Sequence, residues 1–138
     1  MKKSADWEQK TYEHFAKFKE KGFAWGKWDC VRFTDAYFRS VTGKSAIPKG
    51  IKWKDEKSAL KAISELGDNF PTTIKNVLKT NKLKKIQKEY AQVGDIVLFK
   101  EEEHLLGIYD GVSIQAVTEV GLVSKPLKLA KYIWRIDG

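Results

Sequence analysis

The chain is poor in several residue types: 138 positions hold one cysteine, one methionine, two histidines and three prolines. A single thiol, Cys30, excludes a disulfide within the chain, and no Cys/His cluster is present that could build a structural zinc site. No apolar run approaches a bilayer's thickness, so no membrane span is expected. The start, Met1-Lys2-Lys3-Ser4, is charged like a secretory leader. Asp6, Glu8 and Lys10 then follow where an apolar segment would be needed, so synthesis and folding in a cytoplasm are expected. Arginine is scarce, which removes the side chain best suited to paired contacts with bases and phosphates.

What is present is lysine and aromatic residues. The net charge is +8, 42% of residues are hydrophobic and 12% aromatic, a composition that suits one folded domain over residues 1–138. Lysines are densest from Lys75 to Lys88. Such a surface attracts nucleic acid, anionic glycans or an acidic protein, although lysine-rich faces are more commonly just solvated. Specific nucleic-acid binding is therefore the least favoured of these readings.

The chain is organised around Phe23-Ala24-Trp25-Gly26-Lys27-Trp28-Asp29-Cys30. Asp29 is suited to cap a helix over Val31–Val41, because its carboxylate can accept from the free N–H groups of the first turn. Gly43 is placed to end that helix. Cys30 then lies in the first turn, where the helix dipole favours a thiolate. Trp25 and Trp28 would flank it as apolar walls, and Gly26 would let the chain pass close to a neighbour. The competing reading is a buried cysteine acting as a small apolar side chain, with both tryptophans in the core.

Residues 4–20 read as a helix through Trp7, Thr11, Phe15 and Phe18, with His14 as a partly exposed surface histidine. Trp53 reads as an anchor in an irregular stretch. Asp55 starts a helix carrying Leu60, Ile63 and Leu66, and Pro71 starts another with Ile74, Val77 and Leu78. Lys79–Lys88 reads as a link. Beyond it the period changes to that of strands: Ile96–Phe99 after the Gly94-Asp95 turn, His104–Tyr109, Val112–Val117, Leu122–Pro126 and Tyr132–Ile136, with Asp110-Gly111 as a two-residue hairpin loop. Helices followed by an antiparallel meander make an α+β fold.

A cysteine at a helix start, followed by a sheet with an early strand that opens near a histidine, resembles the papain-like cysteine hydrolases. The local words resemble the NlpC-type branch, known for cutting peptides of bacterial cell walls: Asp29-Cys30, Gly94-Asp95-Ile96-Val97-Leu98-Phe99, Leu105-Leu106-Gly107-Ile108-Tyr109-Asp110-Gly111, and Gln115 before Ala116. Trp25-Gly26-Lys27-Trp28-Asp29-Cys30, Gly94-Asp95 and the Trp134-Arg135 ending are similar to small phage-tail and prophage relatives of that branch. The resemblance implies a papain-like domain with N-terminal helices packed on a C-terminal antiparallel sheet, no metal and no organic cofactor.

It also implies a catalytic set. Cys30 would attack, backbone N–H groups at the helix start would hold the oxyanion, and Trp25, Gly26, Trp28 and Asp29 would line the substrate groove. The family's histidine position holds Leu105, one residue after His104. With a two-residue loop, Leu106 would face Gln115 and His104 would face Val117, putting His104 and Gln115 diagonally on one face. Gln115 could then orient His104 as the base. Against this, His104 can be read as an exposed end of the Glu101–Glu103 turn. The expectations are a phage or prophage cysteine peptidase or amidase acting on peptidoglycan peptide, made in a bacterial host and carried on a virion. The alternatives are a non-catalytic papain-like module binding tail or virion proteins, and, last, a nucleic-acid binder.

Overall fold

The computed structural model describes residues 2–136; Met1, Asp137 and Gly138 lie outside the described part. Among the described residues the chain is α+β, with four helices and a six-stranded antiparallel sheet. The helices are α1 (Trp7–Lys19), α2 (Cys30–Thr42), α3 (Glu56–Gly67) and α4 (Phe70–Thr80). The strands are β1 (Lys84–Ile86), β2 (Ile96–Lys100), β3 (His104–Tyr109), β4 (Ile114–Thr118), β5 (Gly121–Lys125) and β6 (Ala130–Arg135). Their order across the sheet is β1-β6-β2-β3-β4-β5. No helix among the described residues is long and apolar enough to cross a membrane.

The local signals act as expected for α2. Asp29 has an extended backbone and its Oδ1 accepts from the Arg32 N–H at 2.8 Å. Gly43 ends the helix with φ of +82°, a left-handed conformation that costs glycine little. The apolar stripe of α2 buries Phe33, Tyr37, Phe38 and Val41 completely or nearly so. It packs on Phe18 of α1, Ile74 and Leu78 of α4, and a sheet face made by Ile96, Leu98, Leu106, Ile108, Val117 and Trp134. Each such aromatic or aliphatic side chain contributes about 1.5–3 kcal/mol from burial. The reverse face of the sheet carries a second cluster, Val97, Phe99, Ile114, Ala116, Ala130 and Ile133, against which Leu127 and Leu129 of a short 3-10 turn pack. This is why β2 is buried on both faces and reads as an unbroken apolar run.

Three expectations are corrected. His14 is buried, 7% exposed, because α1 turns Thr11, His14 and Phe18 toward α2. Its ring lies 4.6 Å from Phe18 and 4.9 Å from Phe33, and Nε2–H donates to the Phe33 carbonyl at 2.8 Å. The lysine-rich link contains strand β1, which pairs with the distant β6 through Lys84↔Arg135 and Ile86↔Ile133. The β3–β4 connection is also longer than two residues. Tyr109 pairs with Ile114, leaving Asp110–Ser113 as the loop. Asp110 causes this, since its Oδ1 accepts from the N–H groups of Val112 (2.8 Å) and Ser113 (2.7 Å).

Candidate functional site

A cleft of about 530 Å³ opens beside the start of α2. Its walls are Trp25, Val31 and Trp53 on one side and the apolar faces of α3 and α4 on the other, including Leu60, Ile63, Leu66 and Phe70. Cys30 and Asp29 also line it, and Lys100, Glu102, Glu103 and His104 bring the β2–β3 turn to it. The volume and apolar lining are those of a small-ligand or side-chain pocket.

The residues around Cys30 form a polar knot. Asp29 is 3% exposed and its carboxylate accepts three hydrogen bonds: Arg32 N–H on Oδ1, then Gly26 N–H at 2.7 Å and the Trp53 indole N–H at 2.6 Å on Oδ2. Gly26 has φ of +79°, and a Cβ there would collide with the Trp53 carbonyl oxygen. The Arg32 guanidinium covers the Trp53 ring at 4.1 Å. So the Trp-Gly-x-x-Asp-Cys word ties the Trp53 loop to the helix start. Trp25, 37% exposed, remains a cleft wall. Trp28 does not line the cleft; it packs edge-on against Phe18 at 5.3 Å on the core side.

Cys30 keeps some exposed surface as a residue, yet its thiol is packed against the main core. Burial pushes the thiol up to about 12, the negative charges of Asp29 and Glu103 push the same way, and an interaction with the Leu106 backbone offsets only part of this. Loss of hydration acts against the thiolate that the helix dipole, worth about 1 kcal/mol, favours, and it is the larger of the two effects. His104 lines the same cleft, next to Glu103, and the charges acting on its ring are those of lysines. Partial burial and then Lys100, Lys131 and Lys75 lower its pKa. No hydrogen bond joins Cys30 to His104 among the described residues.

Gln115 does not orient His104. It pairs with Ile108, four residues along β3, or about 13 Å at strand rise. Its amide N–H groups donate to Asp110 Oδ2 at 2.7 Å and Ser124 Oγ at 2.8 Å. The four-residue loop is what moved it. Leu105, at the family's histidine position, sits opposite Phe99 and packs with the second cluster, on the sheet face turned away from α2.

The Gly94-Asp95 and Trp134-Arg135 words meet in space. Asp95 is 1% exposed and receives both Nε and a terminal nitrogen of Arg135 at 2.9 Å, while Gln92 N–H donates to it at 2.8 Å. This clamp ties the start of β2 to the end of β6 and touches no cleft residue. Among the described residues no group of three or more His, Cys, Asp or Glu is arranged to hold a metal ion.

The family pattern described as "Domain of unknown function (DUF6950)" matches residues 2–136. The chain belongs to that family. No curated protein matches it. For this DUF6950 member the chemistry therefore has to be read from the cleft. The cleft offers apolar walls, a neutral thiol and an aspartate whose oxygens are already engaged. The α3–α4 wall was missed in the sequence. Its only signal was the apolar spacing of Leu60, Ile63 and Leu66, which would look the same in a helix packed into the core.

Proposed function

We propose that this chain is a papain-like domain of the NlpC type that has become a binding module of a phage tail or virion. It holds an apolar segment of a tail protein or wall fragment in the Trp25–Trp53 cleft without cleaving it. The observation that carries this reading is the setting of Cys30, which packs against the main core with no hydrogen bond to His104 among the described residues, so that burial raises its thiol to about 12. Support for the papain-like origin comes from α2, which starts at Cys30 and packs against an antiparallel sheet whose early strands follow Gly94-Asp95 and begin at His104.

A nucleophile needs its base within hydrogen-bond reach, and here His104 makes no hydrogen bond to Cys30 among the described residues and lies under the charges of Lys100, Lys131 and Lys75. Alkylation of the folded protein by iodoacetamide at pH 8 tests the reading. Cys30 is expected to react at least tenfold more slowly than free cysteine, and Cys30→Ala is expected to keep fold and binding. A rate above that of free cysteine would overturn it. A cysteine hydrolase is the second reading, favoured by one observation: Cys30 and His104 open onto the same cleft.

A further inference from the structure

Lys75, Lys85 and Lys131 have no part in the cleft reading, and the fold gathers them in a form the sequence does not show, with Lys100 at the cleft's border beside them. Lys75 of α4 places its ammonium 4.0 Å from the Tyr132 ring, and Lys85 of β1 lies 5.1 Å from the same ring. Lys131 is the extra residue of a β-bulge: Leu98 pairs with Tyr132 and Phe99 with Ala130, so Lys131 has no partner across the strand pair. A bulge re-aims its side chain. Lys131, Lys100 and Lys75 all act on His104. Cations from α4, β1, β2 and β6 therefore converge around one tyrosine and one histidine, and none of these four lysines has an ion-pair partner among the described residues. Bringing like charges together in this way is unfavourable without a counter-anion.

Beside this cluster the pairing of β1 with β6 stops at Ile86↔Ile133. A groove of about 260 Å³ continues between residues 85–89 and 130–133. Glu89 is its one acidic residue, against Lys85, Lys88 and Lys131.

We propose that this face docks an extended acidic polypeptide segment, which lies along the open part of β6 and sets its carboxylates against Lys75, Lys85, Lys100 and Lys131. A nucleic acid fits less well. The Tyr132 ring is covered by the Lys75 ammonium and stacks on Trp134 at 5.9 Å, so it offers no free surface to a base. The nearby arginine, Arg135, is committed to Asp95 and to the Tyr90 carbonyl. A strand edge offers main-chain hydrogen bonds that a peptide backbone can complete and a phosphate chain cannot.

The test is fluorescence anisotropy of the full chain with three labelled probes: an octaglutamate, an alternating Glu-Pro peptide with the same number of carboxylates, and an eight-residue oligothymidylate. Octaglutamate is expected to bind saturably and to weaken at least tenfold between 50 and 300 mM salt, as a multi-charge contact must. The Glu-Pro peptide keeps the carboxylates but lacks an N–H at every second position, so it cannot form a continuous run of strand pairing, and it is expected to bind about fivefold more weakly. Lys75→Glu/Lys131→Glu is expected to lose at least tenfold, and Lys57→Glu/Lys61→Glu on α3 to change nothing. Lys57, Lys61 and Lys131 are exposed and Lys75 is half-buried, and circular dichroism checks that each variant folds. Equal or tighter binding of the oligothymidylate, an unchanged affinity in the Lys75/Lys131 variant, or no saturable binding of octaglutamate would each overturn the proposal.

Discussion

Helices α2 and α3 begin alike and end differently. Each is opened by an aspartate with extended backbone, Asp29 or Asp55, whose carboxylate accepts from the N–H three residues on, and each carries an amphipathic stripe over 13 or 12 residues. Yet α2 buries Phe33, Tyr37, Phe38 and Val41, whereas α3 buries only Ala59 and Ala62 and leaves Leu60 58% exposed. Local chemistry decides that both stretches are helices. What the apolar face meets decides that α2 is the spine of the core and α3 a wall of the cleft. A helix with a surplus of apolar surface and little covering it is where a ligand can add burial, and α3 is that helix.

The sharpest way to break the comparison is to truncate one apolar side chain on α2. Phe33→Ala leaves a cavity beneath both α1 and the sheet and is expected to cost about 4 kcal/mol in urea unfolding. A cost below about 1 kcal/mol would mean that α2 is not the spine.

Second in size is a pH effect on the same α1–α2 contact. Burial lowers His14 to about 4, while an unfolded chain titrates near 6.5. Between these values the unfolded state takes up a proton that the folded state refuses. The contribution is therefore fully present above about pH 6.5 and is lost as pH falls toward 4, amounting to about 3 kcal/mol. Urea midpoints at pH 7 and pH 4.5 measure it. His14→Phe should flatten the part of the slope due to this ring, and an unchanged slope would remove His14 as its source.

Third is the cap. Asp29 holds the Gly26 and Trp53 donors besides its own helix, so Asp29→Ala strands buried donors and is expected to cost about 2–3 kcal/mol. Asp55→Ala, at an exposed cap bonded only to Ser58, should cost several-fold less. Equal costs would mean that the knot adds nothing to capping.

These contrasts also show what the sequence made legible. The start and end of α2, the two capped helices that follow, and strands β2 and β3 depend on neighbours in the chain, and they were readable. What depended on distant partners was not. His14 is buried only because α2 lies over it. β1 looks like a charged link until β6 is placed beside it, and the hairpin register turned on one side chain, that of Asp110. For the site, the meeting of Cys30, His104 and Asp29 at one cleft was legible, since Cys30 and His104 each begin an element and Asp29 caps one, and Trp25 lies in the loop that leads into α2. The place of Gln115 was not, because a loop two residues longer carried it up the strand. Nor was the protonation of Cys30, since burial acts through the whole core and the dipole through one turn.

The smallest expected effect on stability comes from α3, and it separates folding from binding. Leu60 already faces solvent over most of its surface, so Leu60→Ser removes little that folding had buried and is expected to shift stability by no more than about 0.5 kcal/mol. The same side chain lines the cleft, and whatever docks there would cover it. Replacing it with a hydroxyl should therefore weaken a cleft-bound apolar partner severalfold at unchanged Tm. The same substitution should leave octaglutamate binding at the Lys75–Lys131 face unaltered. A large loss of stability in Leu60→Ser would place α3 in the core with α2, and the cleft would lose its wall.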